Sequence, residues 1–441
     1  MSTVDLKTFD ELRASGLAKL LPARPRITVG MGTCGIGNGA DAVFQAFASL
    51  LDHKGIDATL TPVGCFGFCA AEPLVGVWLP GRPLTILHRM DPGKVRHVVE
   101  DLAHGRVGTA NALCKIEEWD HLTGSLTYGH DFSEVPLWHD IDFYRGQRKL
   151  VLRNCGLVNP EDIEEYLAVG GYGALFKALG EMRPEQVIEE VRRARLRGRG
   201  GAGYLTATKW EFMRRAGAGL KYLICNADEG DPGAYMNRNE IESDPHSLVE
   251  GMIIGGYAMG AAEGIVYVRA EYPLAVHRLQ RAIEDARALG LLGSNVLGTS
   301  FAFDLRVVEG AGAFVCGEET ALIASLEGKA GRPRTRPPYP AEKGLHGRPT
   351  NINNVETWYN VPVIVEKGGE WYSQVGTSES TGTKVFSLVG KVKNTGLVEL
   401  PLGTPVRTLV YNIGGGTGTA RHVKAVQTGG PSGGCIPAQG F

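Results

Sequence analysis

Gly198-Arg199-Gly200-Gly201-Ala202-Gly203 fits the spacing GxGxxG. A dinucleotide fingerprint requires a strand before those glycines, because the pyrophosphate must reach a helix N-terminus directly after it. The preceding PEQVIEEVRRARLR reads as a helix, so the ordinary dinucleotide reading fails here. Two alternatives stand. Backbone N–H groups of the loop wrap a phosphate, with Arg199 and Lys209 adding positive charge, or the loop is a tight turn between helices. A second run, Asn226-Ala227-Asp228-Glu229-Gly230-Asp231-Pro232-Gly233, follows a strand-like segment, where open α/β sheets bind ligands. Its acids suit ribose or flavin hydroxyls, a divalent metal, or a solvated turn. With no histidine nearby, a transition-metal site is disfavoured. Residues 310–319 join the strand-like FDLRVVEG to the helical TALIASLEG, and Glu318 and Glu319 stand at that junction. A buried glutamate there orients an amide or a hydroxyl.

These loops need rigid elements to hold them. The strand-like KYLICN (221–226) and GIVYVR (264–269) alternate with helical segments such as LAVHRLQRAIEDARALG (274–290), which predicts an α/β layer with a largely parallel sheet. Upstream, ITVGMG (27–32), ATLTPVG (58–64), LVGVWLP (74–80) and LTILHRM (84–90) read as strands. Helices are expected at 40–55, stopping at Gly55, and at 93–105. A helix is expected to start at Asn159-Pro160, a cap with proline at the first position, and another runs from Pro184 to about Leu196. The polar stretch 377–383 marks a boundary, and 384–428 read as short strands. The division is a helical extension (1–26), a small α/β module (27–105), an irregular aromatic connecting segment (106–150), the main α/β domain (151–375), a small β-rich domain (380–430) and a terminal stretch (431–441).

At 441 residues the chain has room for about three domains. Its 43% hydrophobic and 21% charged residues describe a globular protein rather than a disordered one. With 46 basic and 48 acidic residues there is no electrostatic footprint for nucleic acid or anionic lipid. The uncharged stretch 251–262, between Glu250 and Glu263, covers 12 residues, too few to span a bilayer, so no direct membrane insertion is expected. The acidic, polar N-terminus is unlike a targeting peptide, and 8 cysteines make a poor disulfide framework, so the expected setting is the cytoplasm. The 61 glycines are about twice the usual share and suggest backbone brought close to a ligand.

Together the motifs resemble the flavin-bearing, NADH-oxidising subunit shared by respiratory complex I, NAD-reducing hydrogenases, NAD-dependent formate dehydrogenases and electron-bifurcating enzymes. The resemblance rests on LRGRGGAGYLTATKW (196–210), CNADEGDPGAYMNR (225–238), YVRAEYP (267–273), the run from GAGAFVCGEE to NNVETW (310–358) and GGPSGGCIP (429–437), all in family order. It looks nearer the soluble multisubunit members than complex I itself. The fold implied is a multidomain α/β one. It comprises a thioredoxin-like N-terminal unit, a Rossmann-like FMN- and NADH-binding domain, a β-grasp (soluble-ligand-binding) domain and a helical iron–sulfur domain beyond it.

The same resemblance implies that Gly198, Arg199, Gly200, Gly201 and Lys209 hold the FMN phosphate and ring edge, with Asn226, Asp228, Glu318, Asn353 and Asn354 also in contact. Tyr204 and Phe212 would stack on the nicotinamide and adenine, Tyr339 would complete the clamp, and Glu319, Asp231 and Arg336 would orient the amide and ribose. The bland reading of each aromatic is core packing. The chain departs from the family at Asp231, usually glutamate, at Tyr204-Leu205-Thr206-Ala207 in place of Phe-Pro-Thr-Gly, at Phe314 in place of tyrosine and at Arg336 in place of a frequent lysine. The N-terminal unit resembles the family's [2Fe–2S] module, which uses four thiolates as C-x4-C and C-x3-C. Here Cys65 and Cys69 keep the second pair and Cys34 alone stands for the first. The three are either cluster ligands, one short, or packing residues. Family members continue past GGPSGGCIP into a domain carrying [4Fe–4S], so the sequence is expected to be a fragment, with that cluster only in the missing region.

The function implied is an NADH:acceptor oxidoreductase subunit in which hydride passes between NAD(H) and FMN and electrons leave singly for iron–sulfur centres. Its expected partners are a small thioredoxin-like [2Fe–2S] subunit and a larger iron–sulfur or catalytic subunit. Two alternatives are an FMN-holding electron-transfer scaffold that does not turn over NAD(H), and a binding module acting through 384–428.

Overall fold

The computed structural model describes residues 6–122, 124–217, 219–430 and 433–441. Residues 1–5 of the expected extension, and Pro431 and Ser432 of GGPSGGCIP, lie outside the described residues.

The N-terminal sheet is built from β1 (Arg26–Gly30), β2 (Thr59–Val63), β3 (Val75–Trp78), β4 (Leu84–Leu87) and β5 (Ala112–Ile116), in the order β2-β1-β3-β4-β5. Strand β1 runs parallel to β2 and antiparallel to β3. Side chains alternate between its faces as a pleated strand requires. Val75, Val77 and Leu87 pack with the helices Ala40–Lys54 and Pro92–Ala103. Trp78, Leu84 and Ile86 pack with the aromatic residues Phe66, Phe68, Trp119, Phe143 and Tyr144. Gly55 ends the first of these helices in a left-handed cap, φ 62°, as glycine allows at no steric cost. The sheet does not stop at residue 105, since β5, from the segment read as a connector, is its edge strand. The rest of that segment forms the hairpin β6 (Glu118–Asp120) and β7 (Ser125–Thr127) and an aromatic layer under the sheet, with Phe68 and Phe143 stacked at 3.9 Å.

The main sheet contains β8 (Tyr222–Ala227), β9 (Glu263–Arg269), β10 (Asp304–Gly310) and β11 (Thr350–Asn354), ordered β10-β9-β8-β11 and parallel throughout. The helix Pro245–Met259 is buried along almost its whole length, which accounts for the uncharged run 251–262 as a core helix. Its glycines let neighbours close in: a Cβ on Gly255 would meet the Trp358 ring at 2.4 Å. The helix expected from Asn159-Pro160 begins later, at Ile163–Ala168, because Asp162 is the cap and accepts from the N–H groups of Glu164 and Glu165. Asn159 instead closes a turn, accepting from Glu161 N at 3.0 Å. The helix expected to reach Leu196 covers Pro184–Arg193 and ends before the left-handed Arg195, φ 50°.

Toward the C-terminus, β12 (Thr383–Leu388) pairs with β13 (Gly396–Pro401), and β14 (Ala425–Thr428) with β15 (Gly434–Pro437). Between the two pairs a π-helical turn, Thr408–Ile413, replaces the expected run of strands. The modules are joined by buried polar contacts. Arg26 on β1 donates from Nη2 to both carboxylate oxygens of Glu165 at 2.9 and 2.8 Å. The Glu399 carboxylate on β13 receives the N–H groups of Leu150, Val151 and Leu152 at 2.9–3.0 Å. No helix among the described residues is long and apolar enough to cross a membrane.

Candidate active site

The carboxyl ends of the four parallel strands point their loops to one edge, where an open α/β sheet binds ligands. Arg269, the last residue of β9, ties three of those loops together. Its guanidinium donates to the Glu229 carbonyl at 3.2 Å, to Glu271 Oε1 at 2.9 Å and to the Gly312 carbonyl at 3.1 Å. In the acidic loop, Asn226 uses both ends of its amide, donating to the Gly317 carbonyl at 2.9 Å and accepting from Asp228 N at 3.1 Å. Glu229 caps the helix Met236–Ser243 by accepting from Asn237 N and Arg238 N. Asp228 is different: it is buried, yet neither carboxylate oxygen has a protein partner. Burial pushes its pKa up to about 6, against the pull of Arg269. A buried acceptor left without a donor is costly unless something else supplies one. Asp231 also has one buried unpartnered oxygen, and a Cβ on Gly430 would meet its carboxyl carbon at 2.6 Å.

The glycine loop is closed by Gly198 N donating to the Tyr204 carbonyl at 2.9 Å. Gly200 lies against the end of β11, where a Cβ would stand 3.2 Å from that of Asn354. Gly201 and Gly203 take φ of 110° and 63°, which other residues adopt only with strain. The Arg199 guanidinium is turned into the protein, donating to the carbonyls of Arg197, Thr381 and Thr383 and to the Tyr372 hydroxyl at 2.7–3.2 Å. It fastens the loop to the start of β12. Lys209 is the cation that faces the site. It donates to the Ile352 carbonyl at 2.6 Å, lies 3.6 Å from Glu319, and burial lowers its pKa against the pull of that carboxylate. Glu319 in turn accepts from Arg336 at 2.7 Å, so Lys209, Glu319 and Arg336 form a continuous charged chain.

Glu318 caps the helix Glu319–Leu326, one oxygen taking the N–H groups of Thr320 and Ala321. Asn353 accepts from Trp210 Nε1 at 3.2 Å and from Asn351 at 2.7 Å, and Asn354 caps the helix Val355–Lys367 and donates to Asn237 at 2.8 Å. These side chains build the frame as well as lining it. The aromatics are not core residues. Tyr204, Phe212, Phe314 and Tyr339 are 51%, 53%, 57% and 54% exposed. The first two flank Lys209, Tyr339 follows Arg336 closely, and the Phe314 ring covers Gly230, whose Cβ would meet it at 2.8 Å. Flat apolar rings held in solvent are suited to stacking on a planar ligand.

Sequence reasoning missed Arg269, although a cation ending an apolar strand at the binding edge was a signal for it. It also missed Thr357 and Tyr372, which receive Arg199 from distant segments and carry no local signature. Of the candidate cluster ligands, Cys65 donates to Glu72 at 3.1 Å, Cys69 lies 3.4 Å from the Tyr235 hydroxyl and Cys34 accepts from Arg238 at 3.7 Å. Among the described residues no group of three or more His, Cys, Asp or Glu is placed to hold a metal ion.

Residues 191–363 match the family described as the Nuo51 FMN-binding domain, and residues 385–436 match the SLBB domain. Over 290 residues the chain is 54% identical to the NADP-reducing hydrogenase subunit HndC of Solidesulfovibrio fructosivorans, a match taking in 66% of this chain and 59% of that protein. It is 47% identical over 288 residues to the F 2 subunit of NADH-quinone oxidoreductase from Rhizobium meliloti, covering 65% of this chain and 68% of the relative. The chain thus spans less than two thirds of the length of the first of these. Among solved structures, an NAD+-reducing [NiFe]-hydrogenase in its H2-reduced state superimposes with a TM-score of 0.58 at 29% identity, over 98% of this chain and 70% of that one.

Proposed function

Because this chain belongs to the family of Nuo51-type FMN-binding subunits found among NADH-quinone oxidoreductases and NAD-reducing hydrogenases, we propose that it binds FMN and NADH at the carboxyl edge of the main sheet. Its role in this reading is that of an NADH:acceptor oxidoreductase subunit in a soluble multisubunit complex of the cytoplasm. Asp228 is the observation that carries it: a buried carboxylate with two unpartnered oxygens, beside Gly317, where even a Cβ would stand 3.7 Å from Oδ2. That free acceptor fits the hydroxyl groups of a flavin.

FMN, when bound, supplies the acceptance of a hydride from NADH and its release as single electrons. The chain's own residues bind and orient. Gly198, Gly200 and Gly201 would let backbone N–H groups approach the phosphate, and Lys209 would add its charge. Asp228 would accept hydroxyl hydrogens, while Asn226, Glu318, Asn353 and Asn354 frame the ring and Arg199 fixes the loop. Tyr204, Phe212 and Tyr339 would stack on NADH, and Glu319, Arg336 and Asp231 would engage its amide and ribose. No side chain needs to act as a general acid or base, since positioning supplies the effect. The iron–sulfur centres that would take those electrons would belong to the region beyond the SLBB domain or to partners of the thioredoxin-like [2Fe–2S] and larger iron–sulfur or catalytic types.

The aromatic part of the reading is tested by Phe212→Ala and Tyr339→Ala. Each removes one stacking surface, and each is expected to raise the NADH concentration for half-reduction of the FMN-loaded protein by roughly 2–10-fold while leaving FMN affinity unchanged. Unaltered NADH response in both variants would remove the clamp from the account.

A further inference from the structure

Asn354, at the end of β11, stands where the glycine loop meets the main sheet, since a Cβ on Gly200 would lie 3.2 Å from its own. Its amide is oriented from both ends. Oδ1 accepts from Glu356 N at 3.0 Å as the cap of the helix Val355–Lys367, and Nδ2 donates to Asn237 Oδ1 at 2.8 Å. Turned end for end, the amide would set N–H against N–H at Glu356, so only one orientation satisfies both contacts. Among the described residues the second Nδ2 hydrogen is left uncommitted.

Asn237 is held in the same manner one layer deeper. Its Oδ1 accepts from Asn354, its Nδ2 donates to Glu240 Oε2 at 3.1 Å, and its backbone N–H donates to Glu229 Oε1 at 3.1 Å. Asn237 and Glu240 are i,i+3 neighbours on the helix Met236–Ser243, a spacing that puts them on one face, and both are buried. An acceptor at position 240 therefore decides which way the Asn237 amide turns, and Asn237 in turn decides the setting of Asn354.

Glu240 sits there at a cost. Its Oε1 is buried without a partner, and among the described residues its side chain makes one hydrogen bond, the one from Asn237. Burial, with the carboxylates of Glu356 and Glu229 nearby, pushes its pKa well above the usual carboxylate range against the pull of Lys384. Glu356 is taken up by β12, accepting from Lys384 Nζ and from Val385 N at 3.0 Å. Glu240 is thus a neutral acid, with a carbonyl oxygen for Asn237 and a hydroxyl in place of a second acceptor. A buried polar group with a single contact calls for a reason, and that contact leads through Asn237 to the ligand-facing frame.

We propose that Asn237 and Glu240 are positioning residues for the flavin, which hold the Asn354 amide with its second Nδ2 hydrogen free for the ligand and act on FMN through Asn354 alone, an inference that rests on the flavin reading above.

The test is the FMN affinity of the full chain, followed through flavin fluorescence, in a double-mutant cycle. Asn354→Ser keeps an oxygen for the helix cap and deletes the amide, while Asn237→Leu keeps the volume and deletes the relay. Each is expected to weaken FMN binding by roughly 5–20-fold. The double variant should bind no more weakly than Asn354→Ser alone, because residues that act through one another are not additive. Glu240→Gln presents the same carbonyl to Asn237 and should stay within about twofold of the wild type, whereas Glu240→Leu should fall with Asn237→Leu. Where the leucine variants do not fold, Asn237→Ser and Glu240→Gln carry the comparison, the first losing affinity and the second keeping it. Losses that multiply in the double variant, or wild-type affinity without the Asn237 amide, would overturn the proposal and leave the flavin reading standing. A wild-type chain that binds no FMN would overturn both.

Discussion

Asp228 meets two opposite demands, since the fold buries it and gives neither oxygen a partner. In the ligand-free chain its pKa, about 6 against an ordinary 3.8, means that the folded state holds the proton more tightly than the unfolded one. Its contribution to stability is therefore full below about pH 4 and is lost as the pH rises through about 6. Hydroxyl donors favour the ionised form, so flavin binding acts in the reverse sense and should weaken by up to about tenfold per pH unit below 6. Equilibrium FMN binding between roughly pH 5 and 8 should show that slope in the wild type and lose it in Asp228→Asn, with affinity lower by roughly 10–100-fold. A wild-type profile flat across that range would separate Asp228 from the ligand. At this scale residue type was readable in the sequence, while environment was not: that Asp228 is buried without partners and that Tyr204, Phe212 and Tyr339 are exposed needed the fold. For Arg199 a motif gives the position of a guanidinium and not the direction in which it points.

The glycine loop and β12 form one mechanical unit through Arg199, whose guanidinium donors satisfy three backbone carbonyls and the Tyr372 hydroxyl. Arg199→Ala leaves those buried acceptors without donors and is expected to lower unfolding stability by roughly 2–4 kcal/mol, measured by urea denaturation of the ligand-free protein. Arg199→Lys should recover little of it, since a point charge cannot reproduce the planar fork. A ligand-free stability unchanged in Arg199→Ala would return this residue to the role of phosphate ligand. Strands and long helices of the main sheet were legible because their apolar periodicity is strong, from Tyr222–Ala227 to the helix Pro273–Ala288. Ends were harder. Asn159-Pro160 and Asp162 are both reasonable caps, and only the backbone path decides that Asp162 receives the helix N–H groups. The π-helical turn Thr408–Ile413 has the apolar, β-branched composition of a strand, and tertiary packing of Val410 and Ile413 overrides it.

Across the whole molecule, contacts distant in sequence set one module on another. Arg26 meets Glu165 over 139 positions, Thr33 meets Glu242 over 209, and Glu399 meets Leu152 over 247. None of these pairings is visible in a linear pattern, because each needs the facing surfaces to be known first. The order of segments was legible, while β5 as an edge strand was not. The assembled edge joins a glycine loop, an unpartnered buried carboxylate and exposed aromatics, and the proposed function is that hydride passes between NADH and FMN on this chain. The most direct measurement is an anaerobic NADH titration of the FMN-loaded protein, followed through the flavin absorption band. The account predicts bleaching complete at about one NADH per FMN. A protein that binds FMN and stays yellow with NADH in excess would contradict it, and would leave an electron-transfer scaffold in which Asp231 and the aromatic clamp no longer engage the nucleotide.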